Sequence, residues 1–114
     1  MARTALSVQQ IDRDTNGLAA TRAAVAVTDL SIPNNDGRIF LEVVNTGSGN
    51  VVVTVQTPGS VAGLAVAELV CTCIGTTGDI MIGPLPPAVF NRSDGSVNVD
   101  LSITTTMTIG CFRL

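Results

Sequence analysis

Apolar and polar residues alternate along several stretches of this chain, a pattern typical of β-strands with one buried face. The longest alternation covers residues 97–104, and its apolar members are expected to face the core: Val97, Val99, Leu101 and Ile103. The same two-residue spacing returns near the C-terminal end at Met107, Ile109 and Cys111. We therefore predict two strands in the last eighteen residues of the sequence.

Runs rich in β-branched residues predict four more strands. Residues 38–44 and 51–56 are joined by the polar, glycine-containing segment 45–50, and we predict that they pair as a hairpin. Residues 66–74 and 79–82 are predicted to pair in the same way across 75–78. Asp-Gly steps at 36–37 and 94–95 favour tight turns. Together these signals predict an all-β fold, an antiparallel, jelly-roll-like β-sandwich or barrel.

The first thirty residues differ from the rest, because they are rich in Ala and Thr and only weakly periodic. We predict that residues 1–30 form an N-terminal arm or first strand, and that residues 31–114 form a single β domain. Three of the four residues in 84–87 are proline, which cannot donate a ladder hydrogen bond. This segment is expected to cross between sheets or to lie at a sheet edge.

Composition excludes much of enzyme chemistry. The sequence has no Lys, His, Trp or Tyr, so it has no Ser-His or Cys-His nucleophile pair and no Schiff-base lysine. We therefore expect neither an enzyme nor a cofactor. The net charge is −3, the six arginines are scattered and Phe is the only aromatic type, which argues against a nucleic-acid partner. The uncharged run 43–67 contains Asn, Gln, Pro and Gly and makes a poor membrane span.

Two possible metal motifs are weak. Residues 12–17, Asp-Arg-Asp-Thr-Asn-Gly, match the start of an EF-hand calcium loop, but Ala20 and Ala23 stand at its ninth and twelfth positions, so a solvated turn is favoured. Cys71, Cys73 and Cys111 supply too few ligands for a zinc site. Their odd number, and the lack of an apolar leader at the start, predict reduced cysteines in a soluble protein of a reducing compartment.

One segment suggests an interaction. Residues 82–90 are apolar and stiffened by proline, and a stiff apolar segment loses little entropy when it docks. We therefore name as candidate contacts with another subunit Ile82, Pro84, Leu85, Pro86, Pro87 and Phe90. The alternative is that the segment covers the core within one monomer, and the sequence does not decide between the two.

The same segment carries a family resemblance. Residues 82–87, 90–91 and 95–102 are similar to a pattern in small virion proteins of tailed bacteriophages, of the capsid decoration or cement type. Residues 4–11, 32–37 with 40–41, and 111–114 fit the same pattern. The resemblance implies a β-rich protein on the outer surface of a phage head, commonly trimeric, with the major capsid protein as partner. It implies no catalytic residue.

We therefore expect a structural virion protein, made in the bacterial host cytoplasm and located on the capsid surface. A head–tail connector or tail component is the nearest alternative and would assemble as a ring. A module that binds carbohydrate or a cell surface is the alternative from another class. Such a module binds through exposed aromatic side chains, and a chain with three Phe and no Trp or Tyr gives this alternative little support.

Overall fold

A computed structural model describes residues 3–11, 17–25, 27–58, 60–104 and 106–114. Within them the chain forms twelve strands and one short helix, α1 (Pro87–Phe90). The strands are β1 (Thr4–Ala5), β2 (Val8–Gln10), β3 (Ala23–Ala24), β4 (Asp29–Ile32), β5 (Ile39–Asn45), β6 (Val51–Val55), β7 (Ser60–Val61), β8 (Leu64–Ala65), β9 (Leu69–Cys73), β10 (Gly78–Ile82), β11 (Val97–Leu101) and β12 (Met107–Arg113).

Ten of these strands build two sheets that pack face to face. Sheet A has the order β1-β4-β11-β6-β9, and sheet B the order β10-β5-β12-β2, with β3 also paired to β12. The predicted all-β sandwich is confirmed, and over the described ranges the sheets do not close into a barrel. Both sheets are mixed, since β1 runs parallel to β4 and β2 parallel to β12, while the remaining pairs are antiparallel.

The core lies between the sheets and follows the period-two alternation of the longer strands. Every second residue of β5, β6 and β11 is buried, which gives an interior of Ile39, Leu41, Val43, Val51, Val53, Val55, Val97, Val99 and Leu101. Met107, Ile109 and Cys111 of β12 join it, as their spacing predicted. Ile103 does not: β11 ends at Leu101, and the Ile103 side chain is 44% exposed.

Both predicted hairpins are wrong. β5 belongs to sheet B and β6 to sheet A, and the same holds for β10 and β9. Segments 46–50 and 74–77 are therefore arches that carry the chain across the core, and β6 pairs with β9 while β5 pairs with β10. Alternation fixes which face of a strand is buried, and two strands that face each other across a core show the same alternation as two strands side by side.

The two arches are held together by the buried amide of Asn45. Its Nδ2 donates to the carbonyl of Gly49 at 2.8 Å and to that of Cys73 at 3.2 Å. Its Oδ1 accepts from the Gly47 N–H at 3.0 Å and from the Thr106 hydroxyl at 3.2 Å. The side chain is 1% exposed, so these bonds satisfy a polar group that would otherwise be costly to bury.

The described part of the first thirty residues is tied into both sheets. After β1 pairs with β4 in sheet A, β2 pairs with the central strand β12 in sheet B. Arg3 bridges to Asp100 at 2.6 Å, and the Gln9 amide both donates to and accepts from the backbone of Thr21. This segment thus contributes β1 to sheet A and β2 and β3 to sheet B.

Candidate interaction surface

The proline-rich segment is the crossover from β10 in sheet B to β11 in sheet A. Ile82 is 4% and Leu85 1% exposed, so both side chains belong to the core. Pro84, Pro86 and Pro87 are exposed, and Phe90 is half-buried and packs against the core. The segment therefore covers the core within the monomer through Ile82, Leu85 and part of Phe90, and it presents the three prolines outward.

Two asparagines fasten this crossover to the turn before β5. The Asn35 amide donates to the Leu85 carbonyl at 3.0 Å and to the Asn91 side-chain oxygen at 2.6 Å. Asn91 returns a bond from its own amide to the Asn35 carbonyl at 2.9 Å. Asn35 is buried, and because these bonds satisfy its amide, its burial costs little free energy. The same bonds fix the position of the crossover above the core. No motif in the sequence indicated that these two residues would pair.

Backbone geometry at the start of the crossover requires glycine. Gly83 has a φ of +125°, a conformation that side chains rarely adopt. A Cβ at this position would lie 2.9 Å from Cβ of Phe40 and 3.0 Å from the Ile39 carbonyl oxygen. The crossover therefore lies directly against β5 here, with no room for a side chain.

Proline also shapes the middle of the crossover. Pro87 occupies the first helical position of α1, where a missing N–H costs nothing. The carbonyl of Pro86 accepts from the N–H groups of Val89 and Phe90, both at 3.1 Å. The resulting turn exposes Pro86, Pro87 and Ala88 at one end of the sandwich. This end is rigid because proline removes backbone freedom that a docking partner would otherwise have to restrict.

Charges at the same end are paired locally. Asp36 lies 3.3 Å from the Arg38 guanidinium and 3.4 Å from Nε of Arg113. Although desolvation acts to raise it, the backbone N–H of Arg38 and the charge of Arg113 hold the pKa of Asp36 below its ordinary value. In the next turn, hydrogen bonds from the Ser96 hydroxyl and N–H lower the pKa of Asp94. Both carboxylates stabilise turns, and neither has the raised pKa of a general acid.

The cysteines lie in strands of the sandwich. Cys73 and Cys111 are buried, and Cys71 is half-buried. Desolvation raises the pKa of all three thiols, that of Cys111 to about 12, so none has the thiolate character of a nucleophile or metal ligand. No group of three or more Cys, Asp or Glu side chains is gathered for a metal ion among residues whose placement is described. The candidate calcium motif at residues 12–16 lies outside those residues.

The outer face of sheet B carries an apolar depression that the sequence did not reveal. Phe40 and Phe112 stack there with ring centroids 5.5 Å apart. With Ile11, Leu18 and Met81 they line a depression of about 260 Å³. Glu42 lies at its margin, almost fully buried and paired with Arg22 at 2.8 Å. Phe40 and Phe112 alternate with the core residues of β5 and β12 and so lie on the opposite face, where Leu18 and Ala20 also line the depression.

Comparison with protein-family models, with curated proteins and with solved structures gave no match. Of the helical structure described, none is long and apolar enough to cross a membrane.

Proposed function

We propose that this chain is a structural virion protein that decorates the outer surface of a bacteriophage head, binding the major capsid protein and acting without catalysis. The observation that carries the proposal is the rigid proline surface at one end of the sandwich, Pro84, Pro86 and Pro87, in a segment that also bears the family resemblance. Self-association belongs to the proposal, with the trimer as the form that the resemblance implies.

This surface can dock with little loss of conformational entropy. The crossover is anchored from below by Leu85 and laterally by the Asn35–Asn91 pair, so its exposed face is already in one conformation. Binding then restricts few rotamers, and most of the contact energy remains as affinity. On an assembled shell the site on the capsid protein recurs at fixed spacing, and an oligomer that engages several sites at once gains further by avidity.

Co-sedimentation with shells that lack the protein tests the proposal. Pro86→Asp places a charge on the exposed surface and should weaken shell binding by roughly a factor of ten or more, as charge burial at an interface does. Ile103→Asp is the matched control, because Ile103 is exposed near the opposite, arch end of the sandwich. Wild-type binding by Pro86→Asp would refute the contact surface. Absence of wild-type binding to any head shell would refute the decoration role.

The aromatic positions weigh against the carbohydrate-binding alternative. Sugar-binding surfaces expose flat aromatic rings, whereas Phe112 is 4% exposed and Phe40 and Phe90 are half-buried. A polar depression of about 330 Å³ on sheet A, lined by Arg3, Ser31, Arg92 and Asn98 among others, has no aromatic floor. A connector or tail role would be recognised by ring-shaped assemblies in electron micrographs.

A further inference from the structure

Strand β9 forms one border of sheet A. It pairs with β6 on one side, and its other side faces away from the sheet. The side chains of Val70 and Thr72 are exposed, that of Val70 to 59%. Among the strands at sheet borders it is one of two with five residues, the other being β10 of sheet B.

Alternation identifies which backbone groups of β9 are free. The Val52 carbonyl on β6 accepts from the Ser102 N–H, and the N–H of Gln56, the residue after β6, donates to the Asn98 carbonyl. The backbone groups of even-numbered residues along β6 therefore point to the β11 side. The odd-numbered residues must then bond to β9, whose partners in register are Leu69, Cys71 and Cys73. The N–H and C=O groups of Val70 and Thr72 therefore point outward, and no described backbone group outside the sheet ladders bonds to them.

The edge of β9 also lacks the usual protection. Strands at sheet edges are commonly protected from pairing with another chain by charges, proline, bulges or short length. β9 has no charged residue and no proline, whereas β10 carries the exposed Asp79 and leads into the proline-rich crossover, and β1 has two residues. Unpaired groups on a neutral, five-residue edge offer a template for an added strand.

We propose that β9 pairs with β9 of a second copy of this chain, antiparallel and centred on Cys71. This register overlaps all five residues and sets Val70 opposite Thr72 of the second copy, so that outward groups meet outward groups and exchange four hydrogen bonds. It also places Glu68 opposite Ile74, so no like charges face each other although each chain has a net charge of −3. The contact is self-complementary, as a two-fold dimer interface requires, and it joins the two A sheets into one.

This contact does not depend on the decoration role. Because it is two-fold, it cannot close a trimer by itself. A protein that also forms trimers through other surfaces would use β9 to connect one trimer to the next. The contact is therefore tested on the purified protein, and shell binding is measured separately.

Cys71 provides the first test. Its own backbone groups bond to β6, so it forms a non-hydrogen-bonded pair with its counterpart, with a Cα separation of about 4.5 Å that suits a disulfide. Mild oxidation with copper phenanthroline should therefore produce a covalent dimer on a non-reducing denaturing gel. Cys71→Ser should abolish that dimer, because Cys73 and Cys111 are buried. A dimer that persists in Cys71→Ser, or failure of the associated wild-type protein to cross-link, would overturn the proposal.

Val70 provides the second test, by sedimentation velocity. Val70→Pro removes an outward N–H that the monomer does not use, and deletes two of the four hydrogen bonds in the dimer. Association should weaken about tenfold or more, with cross-linking lost in parallel. Val70→Thr keeps the backbone groups and should associate like the wild type. A wild-type protein that stays monomeric up to its solubility limit, or a Val70→Pro variant that associates normally, would refute the pairing.

Discussion

Replacing Leu85 with alanine measures how firmly the crossover is held to the core. Leu85 is 1% exposed, and its backbone carbonyl accepts the Asn35 bond. Loss of a fully buried leucine side chain costs the transfer energy of the removed carbons and leaves a cavity, together about 3 kcal/mol. For a chain of 114 residues this is a fall in Tm of roughly 10–15 °C.

Urea and thermal unfolding followed by circular dichroism provide the assay, with Pro86→Ala as the control. Pro86 is the exposed neighbour, and its replacement should cost less than about 1 kcal/mol, mainly through greater freedom of the unfolded chain. At temperatures where both variants are folded, Leu85→Ala should bind shells like the wild type. A loss below about 1 kcal/mol for Leu85→Ala would refute the assignment of this side chain to the core.

Three further outcomes follow from the geometry. Gly83→Ala should destabilise the fold by about 2 kcal/mol or more in urea unfolding, because of its positive φ and the contact with β5, whereas Gly49→Ala, which meets no atom within 4 Å, should cost far less. Maleimide labelling of the dilute native protein should modify Cys71 first and Cys111 last, and all three thiols should react after denaturation. Since the pKa of Asp36 is lowered on folding, its ionised form stabilises the native state, and this contribution is lost as the pH falls below about 3.8. The stability difference between the wild type and Asp36→Asn should shrink there, and a constant difference would contradict the assignment.

The strands themselves were predictable because their alternation is a local property. β11 and β12 fall where period-two spacing placed them, and the runs around β5, β6, β9 and β10 are also strands. Their partners were not predictable in this way. A five-residue loop between two alternating strands, such as 46–50, is compatible with a hairpin or an arch, and the arch is stabilised here by the Asn45 network, which connects positions up to sixty-one residues apart.

The candidate surface was predictable only in part for a related reason. Proline content marked the segment, but burial of Leu85 beside exposure of Pro86 depends on how the crossover lies over the core. The Phe40–Phe112 pair illustrates the opposite case. By alternation both residues lie on the side of their strands away from the core, yet the weakly periodic N-terminal segment packs beside them. Short strands such as β1 and β3 were not predictable, because three of their four residues are Ala, which has little strand preference.

The position of β12 has a consequence for how the protein is made. This strand lies inside sheet B, between β5 and the β2 and β3 strands, and it pairs with residues as distant as Val8. While the ribosome is still synthesising the stretch before residue 107, β5 has no partner on that side, and the core lacks Met107, Ile109 and Cys111. Contacts between residues so distant in sequence form slowly. The emerging chain therefore exposes unpaired strand edges, which can pair with other chains, until β12 has been made. Chaperone demand and aggregation during expression should therefore respond more sharply to changes in β12 than to equally destabilising changes in β9.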